Sequence, residues 1–172
     1  MRLFAARLTT CLILTLSILS PAAALAQGFS ALARVLPEQS SLMDKGSDVE
    51  LQLGLSQGVP YRIFALRDPY RLVLDFQEVD WTGLQLETFD RSETIESARF
   101  GGYVPGWSRM VLKLTEPMQL RTAAMNIDAE TSAATLLVRL APTDAETFAA
   151  TAGAPHDPRL DLPNAAEITT NA

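Results

Sequence analysis

Cysteine and histidine are almost missing from this chain of 172 residues: each occurs once. Cys11 lies inside an apolar N-terminal run, so nothing beyond that run carries a thiol. A lipid-modified cysteine would have to stand past such a run, at a cleavage point, which Cys11 does not. His156 sits in "APHDP" near the C-terminus. A lone histidine in that C-terminal stretch argues against a Ser-His-Asp triad, and without a thiol beyond the apolar run a Cys-His pair is excluded. One histidine equally cannot supply a catalytic zinc site, which takes three protein ligands and an open position for water. No glycine-rich phosphate loop is present.

Long hydrophobic runs are lacking too. Leu8 to Leu19 is apolar apart from Thr, Ser and Cys11, and Pro21 interrupts it, whereas a spanning helix needs about 20 apolar residues. Arg2 and Arg7 precede the run and Ala24-Leu25-Ala26 follows it. A positive start, a short apolar centre and a small-residue site describe a secretory signal peptide over residues 1–26, cleaved after Ala26, rather than a retained anchor. The exported chain then starts at Gln27 without stable membrane insertion. Export permits disulfides, but no cysteine remains to form one, so the core must hold by packing.

Positive charge is the third shortage. Lys and Arg number 14 against 20 Asp and Glu, a net charge of −6. Cleavage would remove Arg2 and Arg7, leaving 12 basic residues and −8. Phosphate-backbone binding needs concentrated Lys and Arg, so nucleic acid is excluded as a partner. Anionic membrane surfaces are disfavoured for the same reason.

What is present is alternation. Val49, Leu51, Leu53 and Leu55 share one face of a strand, and Glu50, Gln52 and Gly54 the other. Residues 61–66 form a second strand, and "RDP" at 67–69 turns the chain into a third, 71–76. Further strands are expected at 31–36, 95–100, 109–114, 118–125 and 135–140, with connections too short for βαβ units. Short strands with turns about every 8–15 residues predict an all-β fold, a small sandwich of antiparallel sheets over 31–142. After Pro142 the composition shifts to Ala, Thr, Asp and Pro, with Phe148 the one aromatic. Thr143 and Glu146 could form a capping box for one short helix. Otherwise residues 143–172 read as a solvated linker or disordered tail.

Two hexapeptides repeat a pattern, "RLVLDF" at 71–76 and "RMVLKL" at 109–114. Strand parity turns Leu72, Leu74 and Phe76 inward and Arg71, Val73 and Asp75 outward. The same parity puts Arg109, Val111 and Lys113 outside. Similar strands in two halves of a chain suit two sheets packed back to back, each showing one arginine-led stripe. A strand arginine near an aspartate also has a plain reading: it solvates a sheet surface or pairs across strands for about 0.2–1 kcal/mol.

Together, "PYRIFALRDPYRLVLDF" and "ARFGGYVPGWSRMVLKL" resemble the AMIN domain, the non-catalytic N-terminal module of periplasmic N-acetylmuramoyl-L-alanine amidases. The family's pattern is a tyrosine-led strand, a turn with proline, R-x-V-x-D-Φ, then a glycine-containing stretch leading to R-x-V-x-x-Φ. Tyr61, Pro69, Arg71, Val73, Asp75, Phe76, Gly101, Arg109, Val111 and Leu114 occupy those places. Lys113 departs from it, standing where an acid is frequent. The resemblance implies two small pseudo-symmetric sheets with the motifs on outer faces, a periplasmic location, peptidoglycan as ligand, and recruitment of the attached amidase to the division site, where division-site proteins are further candidate partners. Arg71, Val73, Asp75, Arg109 and Val111 are then the binding candidates. Tyr70, Tyr103 and Trp107 lie beside the arginines, which suits them to cover glycan rings while the arginines hold stem-peptide carboxylates. Trp107 is equally a loop plug over the sandwich end, and Trp81 a core or rim residue.

The family's amidase domain holds zinc with two histidines and a glutamate. That site is expected only in a catalytic domain outside this chain, which itself needs no cofactor and offers no catalytic residue. A two-carboxylate glycosidase is formally open, but Asp75, Asp80 and Glu87 have ordinary turn and surface readings. Two classes therefore compete. One is a wall-binding targeting module in cell-wall hydrolysis during division, standing alone or fronting an amidase. The other is a protein-interaction module of an envelope assembly, since AMIN-like domains also occur in secretins.

Overall fold

The computed structural model describes residues 32–155. The expected signal peptide and His156 lie outside the described residues. Among them, strand β1 (Ala33–Lys45) turns at Gly46, φ +67°, into β2 (Asp48–Leu55). Only glycine takes that left-handed backbone at no steric cost. Next come β3 (Tyr61–Leu66), β4 (Arg71–Gln77) and the short pieces β5 (Val79–Asp80), α1 (Leu86–Phe89) and β6 (Asp90–Arg91). Strands β7 (Ile95–Val104), β8 (Trp107–Leu114), β9 (Met118–Ile127) and β10 (Ala134–Pro142) follow, then helix α2 (Ala145–Thr151).

The strands make two sheets, as the alternation predicts. One has the order β5-β1-β2-β10-β9, with β6 also on β1; the other has the order β3-β4-β8-β7. Leu51, Leu53, Leu136 and Val138 from the first meet Leu72, Leu74, Met110 and Leu112 from the second in a single buried cluster. The sheets differ in strand number, and β5 and β6 pair parallel to β1. Strand β1 runs nine residues past the expected end at Leu36.

The doubled pattern is arranged differently from the expectation. β4 and β8 are antiparallel neighbours in the same sheet, not strands of two sheets back to back. Arg71 faces Lys113, Val73 faces Val111, and Asp75 faces Arg109. Antiparallel pairing sets the leading arginine of one copy against the fifth position of the other. The repeat therefore builds one face, with Lys113 as the partner position of Arg71.

The C-terminal side also packs further than its composition suggests. Helix α2 forms where a short helix is expected, but its cap is Asp144 rather than Thr143: the carboxylate accepts the Thr147 N–H at 2.8 Å. Phe148 is buried, its ring edge-on to Tyr70 at 5.0 Å between centroids. Beyond the helix, Gly153 N–H donates to Ala65 O at the free edge of β3. The packed chain thus passes Pro142, because one aromatic in a polar stretch is enough to dock a two-turn helix.

Phe148→Ala should lower stability by about 3–5 kcal/mol through the cavity it leaves, and removal of residues 143–172 should cost at least as much. Thermal denaturation of both variants decides this; parent-like melting would return the folded boundary to Pro142.

Candidate functional site

The outer face of the four-stranded sheet follows directly from its register. One cross-strand row is Arg62, Asp75, Arg109 and Gly101; the next is Phe64, Val73, Val111 and Arg99; the last is Leu66, Arg71, Lys113 and Ser97. The parity assigned to 71–76 holds, yet two outward residues are not exposed. Asp75 is 0% and Val73 1% accessible. β4 has a neighbour on each side, and long side chains from β3 and β8 lie over it, their stems covering the surface while their charged heads reach solvent.

Asp75 is the centre of the site. Arg109 grips it side-on, Nε to Oδ1 at 2.5 Å and Nη2 to Oδ2 at 2.9 Å. Arg62 adds Nε to Oδ2 at 2.7 Å from the opposite strand. Three charge-assisted hydrogen bonds thus converge on a carboxylate without contact to water. Burial by itself would raise the carboxyl's pKa; the bonds from Arg109 and then Arg62 outweigh it and hold Asp75 below the usual carboxylate range. Reciprocally, Asp75 holds Arg109 charged more firmly than usual, despite partial burial.

Aromatic rings flank the two guanidinium groups. Arg109 Cζ lies 3.5 Å from the Tyr103 ring centroid and 5.8 Å from that of Phe64. Arg62 Cζ lies 5.2 Å from the Trp107 centroid. These are cation–π distances. Tyr103 and Trp107 come from the β7–β8 hairpin, whose Pro105-Gly106 tip, with φ +80° at Gly106, is the pair a type II turn favours. Pairing shifts between Gly102 and Val104, leaving Tyr103 as the extra residue of a bulge. Bulges re-aim side chains, and this ring lies on Arg109 with 44% of its residue surface exposed.

The structure therefore gathers Asp75, Arg109, Tyr103 and Trp107 of the expected residues, with Val73 and Val111 as the apolar row beside them. It places Arg71 and Tyr70 elsewhere. Arg71 lies four residues along β4 from Asp75, about 13 Å at strand rise, and its guanidinium donates to the carbonyls of Pro69 and Arg67. Tyr70 packs on Phe148. Lys113 is paired with Glu96 at 2.5 Å. Trp107 lies beside Arg62 on the outer face instead of plugging the sandwich, whereas Trp81 is core, between Phe76 and Phe100. Arg62 stands outside the two arginine-led hexapeptides, yet a hairpin pairing Leu66 with Arg71 pairs Arg62 with Asp75.

Among the described residues no cluster of three or more His, Cys, Asp or Glu could hold a metal, and no helix is long and apolar enough to cross a membrane. A family model for the AMIN domain matches residues 41–140, more than half of the chain. No curated protein matches it.

Asp75→Asn keeps the shape and removes the charge, and should cost about 1.5–3 kcal/mol near neutral pH. A carboxylate whose pKa is lowered by folding contributes stability that is fully present above its ordinary value, near pH 3.8, and fades as pH falls through the lowered one. The gap between parent and variant in denaturant melts should therefore be wide at pH 7 and should close progressively only as pH falls below about 3.8. A pH-independent gap would mean that the charge of Asp75 does not hold the arginines.

Proposed function

The chain belongs to the AMIN domain family, and from that premise we propose that it is a peptidoglycan-binding module that targets a periplasmic N-acetylmuramoyl-L-alanine amidase to its substrate. AMIN domains are known as peptidoglycan-targeting modules of amidases and secretins. The observation that supports wall binding in this chain is the Arg62–Asp75–Arg109 row with Tyr103 and Trp107 on one accessible sheet face. Held guanidinium groups supply hydrogen-bond donors, and the rings supply flat apolar surface. Hydrolysis belongs to a separate zinc domain in this reading, and the present residues bind and position.

A secretin-type role has its own support. β9 is a ten-residue edge strand with Leu120 and Ile127 exposed at 45% and 61%. Free edges pair readily with other chains, which suits a module that docks in an assembly.

Co-sedimentation with purified, protein-free sacculi separates the two, because only a wall binder is carried down without a protein partner. Tyr103→Ala and Trp107→Ala should each weaken sedimentation several-fold, the scale of about 0.5–1.5 kcal/mol per aromatic contact, with little change in melting temperature. Arg71→Ala should weaken binding less than either ring variant, since its guanidinium stands away from Asp75 and is occupied with backbone carbonyls. A parent that stays in the supernatant, or ring variants that sediment like it, would overturn the wall-binding reading.

A further inference from the structure

We infer that the group read by this site is a free carboxylate adjoining a flat apolar segment, and not the neutral hydroxyls of a sugar; this rests on the wall-binding reading. Asp75 neutralises one of its two arginines, so the triad keeps one net positive charge. Asp75 is also fully covered. A ligand arriving from solvent meets guanidinium N–H groups and never the carboxylate beneath them. Arginine has donors only. A sugar hydroxyl, donor and acceptor together, would find half its hydrogen bonding answered there, whereas a carboxylate accepts and nothing else.

The wider face has the same sign. Five cations stand in its rows, Arg62, Arg71, Arg99, Arg109 and Lys113, against Asp75, the Glu96 bound to Lys113 and the Glu78 carboxylate at the Gly106 turn. The chain as a whole carries −6. General electrostatics therefore repels a polyanion while this one face attracts it. Binding that depends on the ligand's carboxylates can come only from local contact, and Tyr103 and Trp107 fix what must lie next to that carboxylate: a ring face or short apolar stretch.

Two parts of the wall offer this chemistry, the free carboxylates of stem peptides and the lactyl carboxylate of a muramic residue without its peptide. The full chain is to be sedimented with three materials: intact sacculi, sacculi whose carboxylates have been converted to primary amides, and peptide-free glycan strands. Intact sacculi should bind, and amidated sacculi should bind at least tenfold more weakly. Arg109→Lys, which keeps the charge but loses the two-point grip on Asp75, should weaken binding to intact sacculi at unchanged protein concentration and fold, the latter checked by circular dichroism. Binding of peptide-free glycan at parent strength assigns the lactyl group; loss of it assigns the stem peptide, and either outcome agrees with carboxylate recognition. Equal binding to intact and amidated sacculi overturns the inference and leaves wall binding standing. Binding to none of the three overturns both.

Discussion

A buried carboxylate shared by two arginines fixes how the four-stranded sheet is assembled. Asp75 is on the central part of the sheet without solvent, and an unpaired charge there would cost several kcal/mol. Its two partners come from the strands on either side, Arg62 on β3 and Arg109 on β8. Only the observed neighbours and register satisfy it. A slip of one residue in β4 would turn Asp75 into the hydrophobic core and Leu74 out to solvent. The ion triad thus selects one arrangement among those that the apolar alternation alone would allow.

The same triad orders the surface on which the proposed binding rests. Guanidinium groups on free arginines would sample many rotamers, and a ligand would bear the cost of ordering them. Here the hydrogen bonds to Asp75 have already ordered both groups, and stacking by Tyr103 restricts Arg109 further. The β7–β8 hairpin brings the rings to the charges because Gly106 permits the tip and the bulge at Tyr103 redirects its side chain. Stability and recognition consequently share residues: the acid that holds the sheet together also presents the cations.

Much of this could be read from the residues in order. Period-two alternation predicts the strands and their inward sets, and the burial of Leu72, Leu74, Phe76, Met110, Leu112 and Leu114 agrees. Hairpin symmetry around "RDP" contains the Arg62–Asp75 pair. The β4–β8 contact is different, since the two strands are separated by β5, α1, β6 and β7, and periodicity carries no information about which distant strands adjoin. That missing link is why the doubled pattern reads as two stripes on two sheets when it is one face. It also hides the burial of Val73 and Asp75, since outward residues on a central strand are covered by neighbours whose identity depends on the pairing. The burial of Phe148 is hidden for a related reason: a lone aromatic shows no period, and its burial depends on Tyr70 from another part of the chain.

The central claim is that one preorganised face, centred on Asp75, meets the ligand. Nuclear magnetic resonance of the full chain, titrated with a soluble muropeptide, tests it most directly through side-chain signals. The account predicts shifts at the Nε–H groups of Arg62 and Arg109, the Trp107 indole and the Tyr103 ring, with the Trp81 indole in the core unmoved. Shifts confined to β9 or to the outer face of the larger sheet would contradict it.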